Sequence, residues 1–115
     1  MVTVGDLKEK LGAKELTDTN GNDRPILAGY VCDLLSWVMA KGSEGMAWIT
    51  VQTHLNMIAV ACLHEFACVI IPEGIAVPEE TIAKAEEEGI PVLSSDKTAY
   101  EICMGMVELG IGAGE

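Results

Sequence analysis

Hydroxyl, amide and imidazole side chains gather before two apolar helical runs of this chain, and the chemistry they suit is the holding of an anion. Gln52-Thr53-His54 precedes one run, and Ser94-Ser95-Asp96-Lys97-Thr98 precedes the other. A helix start leaves its first backbone N–H groups without intrahelical partners, so a phosphate or carboxylate is favoured there. Asp33 stands at the far end of a third apolar stretch, Ile26 to Cys32. The candidate ligand residues are therefore Asp33, Gln52, Thr53, His54, Ser94, Ser95 and Thr98. Helix capping accounts for Thr53 and Ser95 as well as ligand binding does, because such residues cap helices wherever helices begin.

Other chemistry has less to stand on. Cys32, Cys62, Cys68 and Cys103 lie in apolar segments and form no C-x-x-C pair. Cys62 and His64 are two apart on a helix and point to different sides. The cysteines read as small core residues, with neither metal nor cofactor expected. Glu86, Glu87 and Glu88 read as a solvated helix face, partly paired with Lys84. No G-x-x-x-x-G-K-[ST] loop and no G-x-S-x-G elbow occurs. The glycines of Gly110-Ile111-Gly112-Ala113-Gly114 follow a helix, the wrong context for a dinucleotide fold. No nucleophile is tied to His54. The expectation is a domain without catalytic activity.

The elements that would position these residues follow from the apolar pattern. The 115 residues make one domain, residues 1–115. Half of them are apolar, yet there are only two Trp, two Tyr and one Phe. The core must be aliphatic, as in sheets covered by helices. Thr3 caps a short helix that ends at Gly12, and Lys14 to Thr17 suits a short strand. Pro25 cannot donate to a sheet ladder, so a strand starts at Ile26 and runs to about Cys32. Leu34 to Lys41 reads as a short helix. Met46 to Val51 and Ala67 to Ile71 are continuous apolar runs, the mark of strands buried on both faces. Between them Thr53 caps a helix from His54 to Phe66. Pro78, Glu79 and Glu80 open a helix that Gly89 closes. Val92 to Ser94 is a last strand, and Ser95 or Asp96 caps a final helix to about Leu109. Residues 110–115 are expected to fray.

Strand–helix alternation from Met46 onward implies an α/β fold, a two-layer or three-layer sandwich with a mainly parallel sheet of four to five strands flanked by helices. Parallel strands bring their C-terminal ends to one edge, where ligands bind. That edge would collect Asp33 and the loops at 52–54, 72–74 and 94–98.

Two helices are apolar nearly all round. His54 to Phe66 carries Leu55, Ile58, Cys62 and Phe66 on one side, and Met57, Val60 and Ala61 on the other. The final helix carries Ile102, Cys103 and Met106 against Tyr100, Met104 and Val107. Such helices need cover on both sides. Either a second copy supplies it, making a homodimer through Met57, Val60, Ala61, His64, Tyr100, Met104 and Val107, or neighbouring loops do.

The net charge is −11, with seven Lys and Arg. Such a surface repels phosphate backbones and anionic lipid, so neither nucleic acid nor membrane is an expected partner. No positively charged start followed by an apolar stretch appears, so a secretory signal is not expected, and the longest apolar run, Met57 to Leu63, is too short to span a bilayer. The cytoplasm is the expected compartment.

Asp23 to Leu35, Trp48 to His54 and Ala85 to Pro91 resemble the DRTGG domain, over nearly the whole chain. Asp23, Arg24 and Gly29 match that family's signature; Leu27 and Ala28 stand where threonine and the first glycine are expected. The resemblance implies a compact α/β regulatory domain with no catalysis of its own. It implies a likeness to the N-terminal domain of HPr kinase/phosphorylase and to domains beside CBS modules in regulated pyrophosphatases. Dimerisation, a regulated enzyme or CBS-type protein as partner, and a nucleotide or phosphorylated ligand belong to the same implication. On residue chemistry alone, Asp23 closes the Asn20-Gly21-Asn22-Asp23 turn, and Arg24 pairs with it or with Asp33.

Overall fold

A computed structural model describes residues 1–114. The elements in chain order are α1 (Val4–Leu11), β1 (Lys14–Glu15), β2 (Ala28–Val31), α2 (Leu35–Lys41), β3 (Met46–Ile49), α3 (Leu55–Leu63), β4 (Cys68–Ile71), α4 (Glu79–Glu88), β5 (Val92–Ser94) and α5 (Ala99–Glu108). The five strands form one sheet in the order β1-β5-β4-β3-β2. β2 to β5 are parallel, with Ala47 opposite Cys68 and Ile70 opposite Leu93, and β1 joins β5 antiparallel. This is the mainly parallel α/β sheet that the alternation predicts.

Side-chain alternation divides the core into two layers. Trp48, Val69, Ile71 and Val92 face a cluster with Val38 of α2, Met57, Ile58, Val60 and Ala61 of α3 and Ala85 of α4. Ala47, Ile49, Cys68, Ile70 and Leu93 face Val4, Leu7 and Leu11 of α1 and Ile102 and Met106 of α5. Three successive β-α-β units step across the sheet in one direction, which places α2, α3 and α4 on the same face. The result is a three-layer sandwich. Every residue of β3 and β4 is buried because both faces are covered. Trp48 is fully buried; its Nε1–H donates to the Cys32 carbonyl at 2.8 Å, and its ring meets Phe66 edge-on at 5.6 Å.

The structure moves several boundaries. The helix expected over His54 to Phe66 stops at Leu63. His64 is its C-cap, Glu65 adopts φ 56, and the Phe66 N–H returns to the Ala61 carbonyl. Phe66 is apolar because it belongs to the core, not because it continues the helix. Thr53 does not cap α3: His54 does, its Nδ1 accepting from the Asn56 N–H at 3.1 Å. Neither Ser95 nor Asp96 caps α5: Thr98 does, in a reciprocal capping box with Glu101. β2 is formally shorter than Ile26 to Cys32, although the Cys32 N–H still reaches the Ile49 carbonyl at 3.3 Å. Residues 110–114 do not fray. Ile111 is buried and the Gly112 carbonyl accepts from the Gly29 N–H; Glu115 lies outside the described residues. Among the described residues no helix is long and apolar enough to cross a membrane.

Candidate functional site

The parallel strands do bring Asp33, the 52–54 loop, the 72–74 loop and the 94–98 loop to one edge of the sheet. There most of the candidate residues bond one another or the nearby backbone. Asp33 Oδ1 accepts from Thr50 Oγ1 and from the Val51 N–H, each at 2.9 Å. Gln52 Nε2 donates to the Asp33 carbonyl at 2.8 Å. The Thr53 carbonyl accepts from Thr81 Oγ1 at 2.7 Å, which ties the loop before α3 to the start of α4. Ser94 ends β5, and Ser95 is buried, its Oγ accepting from the Lys97 N–H at 3.1 Å. Thr98 Oγ1 accepts from the Glu101 N–H at 3.2 Å, and Glu101 Oε1 accepts from the Thr98 N–H at 3.0 Å. That backbone N–H, with the Thr98 hydroxyl, holds the Glu101 carboxyl below its ordinary range.

Capping and loop closure thus account for nearly every group that anion binding would need. Helix α5 already has a carboxylate at its N-terminus. Asp33, Glu73 and Asp96 stand on the same loops as the single cation Lys97. The cavities beside α5 and β2, around α1 and next to Arg24 are lined by other residues, none of them among the seven candidates.

The signature residues lie elsewhere. Asp23 is exposed in the turn that closes with the Arg24 N–H on the Gly21 carbonyl. Arg24 pairs with neither Asp23 nor Asp33. Its guanidinium donates to the Gly89 carbonyl and to the Phe66 carbonyl, each at 2.6 Å. Gly89 is the C-cap of α4, and Phe66 follows the end of α3. One planar fork therefore joins two helix C-termini, where carbonyls lack partners and the dipole favours a cation. This rim is the N-terminal end of the parallel strands, opposite the candidate ligand edge. Gly29 sits on β2, where a Cβ would approach Met106 Sδ to 3.3 Å.

The residues expected at a dimer interface also divide. Met57, Val60 and Ala61 are buried within the chain's own core, because α3 lies between α2 and α4 with the sheet beneath it. These three have no surface to offer a second copy and are corrected from interface to core, whereas Leu63 at the end of the same helix is exposed. His64 is half-buried and bound within the chain: Nε2 is 2.8 Å from the Met39 carbonyl, and the ring stacks on Phe66. On α5, by contrast, Tyr100, Met104 and Val107 are 78%, 53% and 70% exposed. They stand at i, i+4 and i+7, one face of the helix. Beside them runs an apolar groove of about 250 Å³ between α5, β2 and residues 111–113, lined by Val31, Cys103, Met106, Val107 and Ile111. Periodicity did not reveal this groove. Its only sequence signals are the glycines at 29 and 112, where two backbones approach.

Of the four cysteines expected in the core, only Cys68 is fully inside it; Cys32, Cys62 and Cys103 are half-buried at its margins. Cys68 is fully buried, and burial pushes its thiol up to about 12. Cys62 Sγ lies 3.0 Å from Glu88 Oε2; that hydrogen bond raises the thiol and lowers the carboxyl. No cluster of metal-ligating side chains occurs among the described residues.

A family model described as HPr Serine kinase N terminus matches residues 2–108. No curated protein is similar enough to the chain to count as a match. Among solved structures, the chain is similar to the CBS and DRTGG domains of the regulatory region of Clostridium perfringens pyrophosphatase, complexed with the activator diadenosine tetraphosphate. The TM-score is 0.76 at 16% identity, over 92% of this chain and 46% of that one, so the present chain spans about half the neighbour's length. At 16% identity the likeness to this neighbour shows a shared fold.

Proposed function

Since the chain belongs to the family of HPr serine kinase N-terminal domains, we propose that it is a regulatory interaction domain that works as a homodimer in the cytoplasm. The single observation behind the dimer is the exposed face of α5, Tyr100, Met104 and Val107, continuous with the apolar groove beside β2. An exposed apolar face of this kind marks an interaction surface. Glu101 and Glu108 flank Met104 on one side of the helix, so in a chain of net charge −11 the contact between two copies centres on Tyr100, Met104 and Val107 with those carboxylates at its rim. A regulated enzyme or CBS-type protein is the partner on which such a dimer would act. Sedimentation equilibrium tests the dimer. The unmodified chain should associate, and Met104→Glu, which sets a carboxylate against its two-fold mate, should weaken association by about tenfold or more. A strict monomer, or an unchanged constant in Met104→Glu, refutes this reading.

A second reading, a sensor of a nucleotide or phosphorylated metabolite at the strand exits, draws on the neighbour's complex with diadenosine tetraphosphate. The internal bonding of Asp33, Gln52 and Thr98 weighs against it. A thermal-shift titration with diadenosine tetraphosphate, ATP and inorganic phosphate decides, because binding to the native state must raise the midpoint.

A further inference from the structure

The segment after α5 lies along the open side of β2. Gly110 turns the chain at φ 88, and Ile111 buries its side chain beside Gly29 and Met106. The Gly112 carbonyl accepts from the Gly29 N–H at 2.8 Å. A Cβ on Gly114 would stand 3.2 Å from that of Ala28. Gly112 is thus beside Gly29 and Gly114 beside Ala28, so the segment runs against the direction of β2, where a sixth strand would pair. It makes one such ladder bond, and three of its five residues are glycine, leaving Ile111 and Ala113 as its only side chains.

β2 is an edge strand with no charged residue: Ala28, Gly29, Tyr30 and Val31. Uncovered edges of this kind recruit further strands, and proteins shield them with loops or charge. Two copies related by a two-fold axis would bring β2 to β2 antiparallel, the direction the segment already takes. The outward N–H of Gly29 cannot serve both. The geometry points to residues 110–114 as a displaceable strap that competes with the β2 of a second copy for the same sheet edge. A second copy fits the edge because a neutral strand is where a strongly acidic chain can approach itself. This edge adjoins the groove beside α5, which Val31 and residues 111–113 help to line, but the competition is for the backbone of β2 and does not rest on the outer face of α5.

Two measurements test it, both in a Met104→Glu background that removes the helix face. In amide exchange, Gly29 should open locally: its rate should be at least about tenfold faster than that of Val69 and independent of dilute denaturant. Exchange of Gly29 at the rate and denaturant dependence of Val69 would mean that the strap leaves only when the domain unfolds, and would overturn the proposal. In sedimentation, Ile111→Ser should convert the monomer to a concentration-dependent dimer, and adding Val31→Lys should return it to monomer. A natively folded Ile111→Ser variant that stays monomeric at millimolar concentration, or a dimer indifferent to Val31→Lys, refutes the competition. Ile111→Ala replaces the serine variant if the latter loses its near-UV circular dichroism.

Discussion

Arg24 is the residue whose removal discriminates best between a ligand contact and a structural clamp. Its two N–H···O bonds run to the Gly89 and Phe66 carbonyls at 2.6 Å. A hydrogen bond from a charged donor contributes about 1.5–3 kcal/mol, so two give roughly 3–6 kcal/mol before screening. Arg24 is half-buried, and solvent screening places the expected loss for Arg24→Ala at the lower end, about 3 kcal/mol. For a domain of this size that lowers Tm by about 10–15 °C. Arg24→Lys keeps the charge but loses the fork, so about half of the loss should remain. Urea unfolding followed by circular dichroism and Trp48 emission measures both variants, with an unchanged m-value as the check on two-state behaviour. A loss below about 1 kcal/mol for Arg24→Ala, in the range of an ordinary surface change, would refute the clamp. Full rescue by lysine would refute the need for a planar fork.

Met57→Ala should destabilise the domain by about 2–4 kcal/mol, the ordinary penalty for emptying a filled core site, and leave the association constant unchanged. A dimer weakened without loss of stability would return α3 to the interface. The Glu101 carboxyl is held low by the Thr98 N–H and hydroxyl, so its contribution is present above the ordinary carboxylate range and is lost as pH falls through the depressed value. Acid titration of unfolding stability should therefore show a shallower loss below about pH 4.5 in Glu101→Gln than in the unmodified chain; parallel curves would remove the capping box as the cause. Cys68, with its thiol raised to about 12, should resist iodoacetamide at pH 8 in the folded protein and react only in denaturant, read by mass spectrometry. Labelling of native Cys68 at the rate of an exposed thiol would contradict its burial.

How far composition and pattern reach is clearest at β3, β4 and α4. The runs Met46–Ile49 and Cys68–Ile71 are apolar at every position, and only a strand covered on both faces needs that. Pro78, Glu79 and Gly89 bracket α4 by local chemistry alone: proline where no donor is needed, acid in the first turn, and glycine at φ 72 where a Cβ is disfavoured. The convergence of four loops on one edge follows from the same parallel order. These features depend on neighbours within a few residues, or on a rule that holds for any parallel sheet.

Three things came only from the assembled fold. An all-round apolar helix does not say what covers its second side. α2 and α4 cover the flanks of α3 and leave only Leu63 exposed among its large apolar side chains, whereas the outer face of α5 stays open, because three crossovers fill one face of the sheet and only α1 and α5 share the other. Arg24 looks like a partner for the nearest carboxylate, yet its fork closes on carbonyls 42 and 65 residues away. The glycine-rich stretch after α5 carries no pattern that predicts order. It is ordered because Ile111 finds a hole beside Met106 and β2 has an open side. Periodicity reports which faces are apolar, but who meets whom is decided by long-range packing, which no local window contains.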